Sequence, residues 1–271
     1  MSIRLISRND DFGSSRAANK AILEAVDCGL ITRNVSCMAP APYMAEAAEE
    51  LKRYRHIDIG MHATLTSEWD GIRWGAMTEL MRKSDYTYED GSFFHSQKEI
   101  VGAGTKVEMV LAEYDAQLDY LTSLGLNISY VDSHMFPEYY IDELYDAFLE
   151  WTYKKGLLCA EDYYYFANPI CPETKESEED YLEGVRRWLE ELLNEKQYFY
   201  LAHPAYPCDE ALLMYNDDIP KGAMLLERKM EYKAMTSRRW EMWFEKYDIC
   251  PIRYSEAKKQ ERGSIKQILN L

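Results

Sequence analysis

The chain has 271 residues, of which 47% are hydrophobic and 29% are charged, a balance typical of globular proteins and not of disordered or fibrous ones. Lys and Arg together number 31 against 47 Asp and Glu, which gives a formal net charge of −16 at pH 7. Phosphate backbones and anionic lipid headgroups repel so negative a protein at long range, which disfavours nucleic-acid binding and membrane-surface roles.

Short β-rich segments alternate with amphipathic helical segments along the chain. The predicted strands cover 3–7, 34–38, 57–65, 128–132, 157–160, 198–202 and 249–254. The predicted helices cover 18–26, a stretch that ends at about 53, 107–121, 138–155, 181–192 and 228–247. This alternation predicts parallel strands joined by right-handed crossovers. About seven such units favour a closed or nearly closed (β/α) barrel, and we expect one domain over residues 1–271.

One segment, at about 66–104, interrupts the alternation. Its six aromatic residues are Trp69, Trp74, Tyr86, Tyr88, Phe93 and Phe94. So long a connection within a compact domain is typically a lid, an added hairpin or a disordered loop, and this many aromatic residues disfavour disorder. Two interpretations stay open. The rings form a stacking surface for sugars, or they form a small satellite core.

Five polar residues lie at the carboxyl ends of four predicted strands. Asp10 and Asp11 come just after the first strand, His62 lies late in the third, and His134 and His203 directly follow two later strands. These ends meet at one rim of a parallel barrel, where barrel enzymes carry their chemistry. Each residue alone also has a structural interpretation, such as a turn residue. Their shared position is what indicates a functional site.

Two imidazoles and one carboxylate can bind a divalent ion and leave positions for water and substrate. A glycosidase needs two carboxyl groups about 5–10 Å apart on opposite sides of a bond. Asp10 and Asp11 are neighbours in an extended segment and point in different directions, which disfavours that chemistry. The sequence also contains no G-x-S-x-G, no placed Cys-His pair and no Gly-rich phosphate loop, which disfavours the usual nucleophilic hydrolases and nucleotide-binding proteins.

Targeting signals are mostly absent from the sequence, and we expect no membrane-spanning helix. The longest apolar runs are far shorter than the roughly 20 residues of a spanning helix, and the first ten residues lack the apolar stretch of a signal peptide. The six cysteines form no C-x-x-C pair, which is typical of free thiols in a reducing compartment. We therefore expect a cytoplasmic protein.

Four motifs, taken in order, resemble the YdjC-like (ChbG-type) carbohydrate deacetylases. They are Asn9-Asp10-Asp11-Phe12-Gly13, Asp58-Ile59-Gly60-Met61-His62-Ala63-Thr64-Leu65-Thr66, Val131-Asp132-Ser133-His134 and His203-Pro204. The resemblance covers roughly the first 205 residues. It implies a distorted (β/α) barrel related to the polysaccharide deacetylases, with metal-dependent removal of acetyl groups from N-acetylated sugars such as chitooligosaccharides.

The resemblance also implies a role for each residue that matches a motif. Asp11, His62 and His134 would bind the metal ion. Asp10 would be the general base that takes a proton from the metal-bound water, and His203 the general acid that protonates the departing amine. One divalent ion is expected, Mg or Zn first, with Mn, Co or Ni also compatible.

The chain departs from the family pattern two residues after His134. Family members commonly carry a second histidine there, and this chain has Phe136. We assign Phe136, together with Trp69 and Trp74, to substrate binding. Related deacetylases also use an arginine to position the catalytic carboxylate, and the sequence does not reveal which residue that is.

We therefore expect a metal-dependent hydrolase whose partner is a small N-acetylated sugar, and we leave a homodimer open. One alternative keeps the metal site but changes the bond to another amide or a sugar phosphoester. The motif loops lack a clear basic cluster, which disfavours a highly phosphorylated substrate. Another alternative is a carbohydrate-binding protein that has lost activity.

Overall fold

The computed structural model describes residues 2–163, 177–192 and 196–260. Within them, seven β-strands form one sheet. They are β1 (Ile3–Phe12), β2 (Asn34–Cys37), β3 (Asp58–Ala63), β4 (Ile128–Ser133), β5 (Leu158–Cys159), β6 (Gln197–Ala202) and β7 (Ile249–Ile252). The strand order is β5-β4-β3-β2-β1-β6, and β7 pairs with the first half of β1. Every pairing is parallel, which confirms the predicted α/β fold of about seven parallel strands.

The sheet formed by the described residues curls into a half-barrel. Over the described residues, no pairing joins β5 to β6. β1 is longer than predicted because its second half pairs with β6 as far as Asn9 and with β2 as far as Phe12. Asp10 and Asp11 therefore lie inside β1, whereas the sequence predicts that they come just after the first strand.

Nine α-helices of the described residues surround or flank the sheet. They are α1 (Arg16–Asp27), α2 (Met44–Leu51), α3 (Glu79–Arg82), α4 (Gln97–Gly102), α5 (Val107–Ser123), α6 (Leu144–Lys154), α7 (Glu178–Glu191), α8 (Ala223–Met235) and α9 (Arg239–Lys246). None of the helices in these ranges is long and apolar enough to cross a bilayer. The described cysteines are free thiols, and Cys171 lies outside the described residues.

Two predicted helices are each interrupted. The helix predicted at 138–155 is a 3-10 turn at Pro137–Tyr139 followed by α6, and Glu143 adopts a left-handed φ of 65° between them. The helix predicted at 228–247 is divided into α8 and α9. Its break follows Met235, where the indole of Trp240 donates to the Ala234 carbonyl (2.9 Å).

The turn after β1 positions the end of that strand. Ser15 accepts a hydrogen bond from the Ala18 amide (3.0 Å) and caps α1. Gly13 precedes the cap with φ 107°, and a Cβ there would lie 3.1 Å from Met44 Cβ and 3.2 Å from the Met38 carbonyl oxygen. Glycine is therefore required for the chain to turn tightly after Asp11.

The aromatic insertion packs mainly as core. Trp69, Trp74 and Phe93 are buried in the main hydrophobic cluster, so these rings pack as core, but they join the main core and do not form the predicted satellite core. The insertion contains α3, α4 and two antiparallel bridges, one of which joins Gly75 to Ser92. α5 anchors its start, because Gln117 exchanges hydrogen bonds with the backbone N–H (3.0 Å) and C=O (2.7 Å) of Thr64.

Candidate metal centre

The three residues predicted as metal ligands lie together at the carboxyl end of the sheet. Asp11 Oδ1 lies 3.5 Å from His62 Nε2 and 3.6 Å from His134 Nδ1. The two imidazole nitrogens are 3.3 Å apart. All three side chains are buried, and these atoms lie within 4.8 Å of one another. One carboxylate oxygen and two ring nitrogens thus face a common point.

Each of the two histidines has a carboxylate at its other ring nitrogen. His62 Nδ1 lies 2.6 Å from Asp132 Oδ2, and His134 Nε2 lies 2.8 Å from Glu68 Oε2. The carboxylate at one ring nitrogen orients each imidazole so that its other nitrogen faces the common point. Glu68 comes from the insertion, and sequence reasoning gave it no role.

The backbone conformation, hydrogen bonding and pKa of Asp11 all fit a bound cation. Its backbone has φ 62°, which is uncommon for a residue other than glycine. Its buried Oδ1 has no hydrogen-bond partner, and a buried acceptor without a partner is destabilising. Burial by itself would raise the pKa of Asp11, but its contact with His62 and the charges of His134 and Arg228 hold that pKa well below its usual range. An ionised, unpaired oxygen beside two imidazoles suits a divalent ion.

Asp10, His62 and Asp132 also lie close enough to share an ion. The oxygens of both carboxylates are already engaged, however. Arg8 donates to Asp10 through Nε (2.5 Å to Oδ1) and Nη2 (2.7 Å to Oδ2), and its Nη2 lies 3.1 Å from Asp132 Oδ2. The set that contains Asp11 is therefore the better metal site.

Arg8 forms a buried ion pair with Asp10, a contact that the sequence did not reveal. It lies two residues before Asp10 on β1, so both side chains leave the strand on the same face. The pair is buried, with exposed fractions of 1% and 2%, and the guanidinium also donates to Tyr254 Oη (3.2 Å). Burial raises the pKa of Asp10, and the charges of Arg8 and His62 offset only part of that shift.

His203 lies on the loop after β6, with 29% of its side chain exposed. Its backbone N–H donates to Glu231 Oε2 (3.1 Å), and its carbonyl accepts from Arg228 Nη1 (3.3 Å). Glu231 Oε1 lies 4.0 Å from His203 Nδ1, and Arg228 Nη2 lies 3.7 Å from Asp11 Oδ2. α8 therefore holds the loop and links it to the metal-ligand set.

A cavity of about 840 Å³ opens onto this cluster. The predicted site residues that line it are Asp10, Asp11, His62, Trp69, His134, Phe136 and His203. Trp74 does not reach the cavity. Its indole donates to the Thr66 carbonyl (2.6 Å). Its ring packs edge-on against His134, with 6.0 Å between the ring centroids.

Phe136 enters the cavity from a tight turn after β4. Met135 and Phe136 both adopt left-handed φ angles, 57° and 54°. Such strain in consecutive residues other than glycine is common at binding and catalytic sites. The side chain of Gln97 in α4 donates to the Met135 carbonyl, so the insertion supports this turn directly.

Comparison with known proteins places the chain in a family. A family model described as YdjC-like protein matches residues 4–246. A carbohydrate deacetylase of Vibrio vulnificus is 26% identical over 275 residues, which cover 94% of this chain and 96% of the relative. A carbohydrate deacetylase of Thermoanaerobacter pseudethanolicus is 26% identical over 153 residues. That match covers 56% of this chain and spans 58% of the length of that relative.

A solved structure shows the same fold. It comes from Enterococcus faecalis V583 and is named a cellobiose-phosphate cleavage protein. It superposes with a TM-score of 0.69 at 21% identity, and the match covers 95% of this chain and 100% of that one. Because the family model covers most of its length, the chain belongs to the YdjC-like protein family.

Proposed function

We propose that this protein is a metal-dependent hydrolase that removes the acetyl group from a small N-acetylated sugar. The observation that carries the proposal is Asp11 Oδ1, an ionised and buried oxygen that accepts no hydrogen bond and lies between His62 and His134. The carboxylate of Asp10, which Arg8 holds, lines the same cavity. The name carbohydrate deacetylase, which the two relatives share, supports the reaction class.

Asp11, His62 and His134 would hold one divalent ion. When bound, such an ion polarises the amide carbonyl and lowers the pKa of a water molecule. Two imidazoles and one carboxylate accommodate several divalent metals, so we propose no single one.

Asp10 is proposed as the general base that takes a proton from the attacking water. Arg8 fixes both of its carboxylate oxygens, so the side chain needs no reorientation during the reaction. Its pKa is raised by burial, which makes Asp10 a stronger base than an ordinary aspartate.

His203 is proposed as the general acid. It lines the same cavity as Asp10 but follows a different strand, so one group can remove a proton while the other delivers one to the departing nitrogen. Breaking the C–N bond requires that protonation, because an amine anion is a poor leaving group. Glu231 and Arg228 hold the backbone of His203 in place.

The cavity favours an acetyl amide over the alternative of a sugar phosphoester. Among the described residues that line it, only Arg8 and Arg228 carry a guanidinium or ammonium group. Arg8 pairs with Asp10, and Arg228 lies 3.6 Å from Glu231 Oε2 and 3.7 Å from Asp11 Oδ2. Both cations are therefore already engaged by carboxylates.

Acetate release tests the proposal. The protein is stripped of metal, restored with one divalent ion at a time, and assayed on N-acetylglucosamine and diacetylchitobiose, each with and without a 6-phosphate. We expect metal-dependent release of acetate from at least one unphosphorylated sugar. No release from any sugar by a protein that holds one equivalent of ion would overturn the assigned substrate.

Substitution of the two neighbouring aspartates tests the division of roles. Asp10→Asn should lower kcat by about 10²–10⁴-fold, the usual contribution of a general base, with metal content unchanged. Asp11→Asn should lose the metal. The opposite pattern, with metal lost only in Asp10→Asn, would show that the two roles are reversed.

A further inference from the structure

We infer that Asn216 is a positioning residue of the metal centre, and that it acts on the ligand His134 through Glu68. Asn216 belongs to segment 215–219, here called the cavity loop, which lies between β6 and α8. Residues 216–219 of this loop line the cavity. The inference rests on the proposed function only in that a metal ion binds at this centre. It extends that function by making the cavity loop and the metal centre one coupled unit.

Glu68 contacts both the metal centre and the cavity loop. Its carboxylate oxygen Oε2 lies 2.8 Å from His134 Nε2, and its backbone carbonyl accepts a hydrogen bond from Asn216 Nδ2 (2.9 Å). Only 11% of the Glu68 side chain is exposed, so the surrounding protein limits the conformations that the carboxylate can adopt. Because one residue makes both contacts, a shift of its backbone also shifts the carboxylate that holds the His134 ring.

The cavity loop fixes Asn216 in turn. The side-chain oxygen of Asn216 accepts hydrogen bonds from the backbone N–H groups of Asp218 (3.0 Å) and Ile219 (2.9 Å). Its own backbone N–H donates to the Ile219 carbonyl (3.0 Å). These bonds close a turn of the kind that asparagine favours. They also fix the orientation of the side-chain amide, since the oxygen is occupied within the loop and the nitrogen is left to donate to Glu68.

The chain just after Glu68 also packs on the start of the cavity loop. The Asp70 backbone N–H donates to the Tyr215 carbonyl (2.8 Å). A Cβ at Gly71 would lie 2.5 Å from the Leu213 carbonyl oxygen, so glycine is required for the two backbones to approach this closely. The cavity loop and the backbone of Glu68 are therefore joined at more than one point, and we expect them to move together.

These contacts determine the orientation of the His134 ring. Its Nδ1 lies 3.6 Å from Asp11 Oδ1 and 3.3 Å from His62 Nε2, so it faces the point that the ligand set shares. A metal ion binds a ring nitrogen whose lone pair is directed at it, and a partner at the other ring nitrogen maintains that direction. Without the hydrogen bond from Asn216, Glu68 holds the ring less firmly. Metal affinity should then fall although every ligand is still present.

The coupling acts in both directions. If the cavity loop increases the affinity of the centre for a metal ion, a bound ion must stabilise the loop by the same free energy. The backbone N–H groups of Asp218 and Ile219, which donate to Asn216, should then open less often in the metal-loaded protein. Since the cavity loop lines the cavity, metal binding also fixes part of the cavity wall.

Titration of the full chain with Zn²⁺ against a chromophoric chelator tests the inference. Asn216→Ser keeps a side-chain oxygen that can close the turn but removes the donor to Glu68, and it should raise the dissociation constant at least threefold. Glu68→Ala should raise it by about 10–100-fold, the usual effect of losing such a partner. In the double variant, the second substitution should add less than a twofold change, because Asn216 acts through Glu68.

Asn127→Ser is the matched control, since Asn127 is exposed and directly precedes β4 at the opposite end of the sheet. It should bind Zn²⁺ as tightly as wild type. A dissociation constant of Asn216→Ser within twofold of wild type would overturn the inference. Full additivity in the double variant would also overturn it, because Asn216 would then act by a route other than Glu68.

Hydrogen exchange measures the coupling in the reverse direction. Saturating Zn²⁺ should slow exchange of the Asp218 and Ile219 amides at least threefold in wild type and leave it unchanged in Glu68→Ala. Equal protection in both proteins would contradict the coupling. Neither measurement requires turnover. A protein that shows the coupling but releases no acetate would count against the proposed function alone, and one that releases acetate without the coupling would count against this inference alone.

Discussion

His62 and Asp132 are paired in register across β3 and β4, and His62 Nδ1 lies 2.6 Å from Asp132 Oδ2. The parallel sheet itself therefore brings the carboxylate to the imidazole. The bond directs His62 Nε2 toward Asp11 and His134. A carboxylate in this position orients a metal-binding histidine and increases its basicity.

Asp132→Asn should weaken metal binding. The amide has the size of the carboxylate but lacks its charge, so His62 is held less firmly and is a weaker base. We expect the dissociation constant for the metal to rise by about 10–100-fold, the usual effect of removing such a partner. Competition with a chromophoric chelator measures it. Asp85→Asn, on the exposed surface of the insertion, is the matched control, and equal affinities of the two variants would contradict the role of Asp132.

Metal affinity should also increase with pH. Burial by itself would lower the pKa of His62, but Asp132, Asp10 and Asp11 outweigh it and raise that pKa from 6.5 to about 10. Below pH 10 a metal ion must therefore displace a proton from His62. The affinity should increase by up to about tenfold per pH unit between pH 6.5 and 8.5.

The stability of the metal-free protein should follow the opposite trend. A raised pKa means that the folded state retains a proton which the unfolded state loses, so His62 contributes its full stabilisation below pH 6.5. That contribution is lost as the pH rises toward 10. Urea unfolding and metal titration at several pH values measure the two trends. A metal affinity that is constant from pH 6.5 to 8.5 would mean that His62 is neutral without metal.

Arg8 should be important for stability because its positive charge compensates the negative charges of two buried carboxylates. Arg8→Met leaves Asp10 and Asp132 without their cation, and breaking a buried ion pair typically costs about 3–5 kcal/mol. The free energy of unfolding from urea titration should fall by that amount.

Arg16→Met is the control for Arg8, since Arg16 makes a two-point ion pair with Glu46 at the exposed surface. Such pairs contribute about 0–1 kcal/mol. A loss in Arg8→Met no larger than that in Arg16→Met would show that Asp10 and Asp132 do not depend on the arginine for their charge.

The strands and the grouping of Asp11, His62 and His134 at one rim could be predicted from sequence because both signals are local. Apolar runs mark the strands, and a histidine or aspartate at or near the end of four of these runs marks the rim. The contact of Arg8 with Asp10 could also be predicted, since a residue two positions before Asp10 on a strand shares its face. The break between α8 and α9 could not be predicted, because the apolar spacing continues across it and Thr236 and Ser237 are weak stop signals.

The supporting residues depend on contacts between distant segments. Asp132 belongs to a recognised motif, yet its contact with His62 follows from the register of two strands 70 residues apart. Glu68 reaches His134 from the insertion, and Glu231 reaches His203 from α8. A single sequence contains no pattern that predicts how the insertion and α8 pack on the rim.

His203→Ala should slow deacetylation without changing the metal content. The residue lies outside the ligand set and is held by α8. Loss of a general acid typically lowers the rate by about 10²–10⁴-fold, and kcat for acetate release from the sugar should fall by that amount. The exposed His56 provides the control, as His56→Ala should retain wild-type kcat.

An aryl acetate separates a general acid from a residue that only shapes the cavity. A phenolate leaves without being protonated, whereas an amine must receive a proton before the C–N bond breaks. If His203 delivers that proton, His203→Ala should lose far more activity on the N-acetylated sugar than on the aryl ester. If His203 only maintains the cavity, both activities should fall together, and that result would remove His203 from the proposed mechanism.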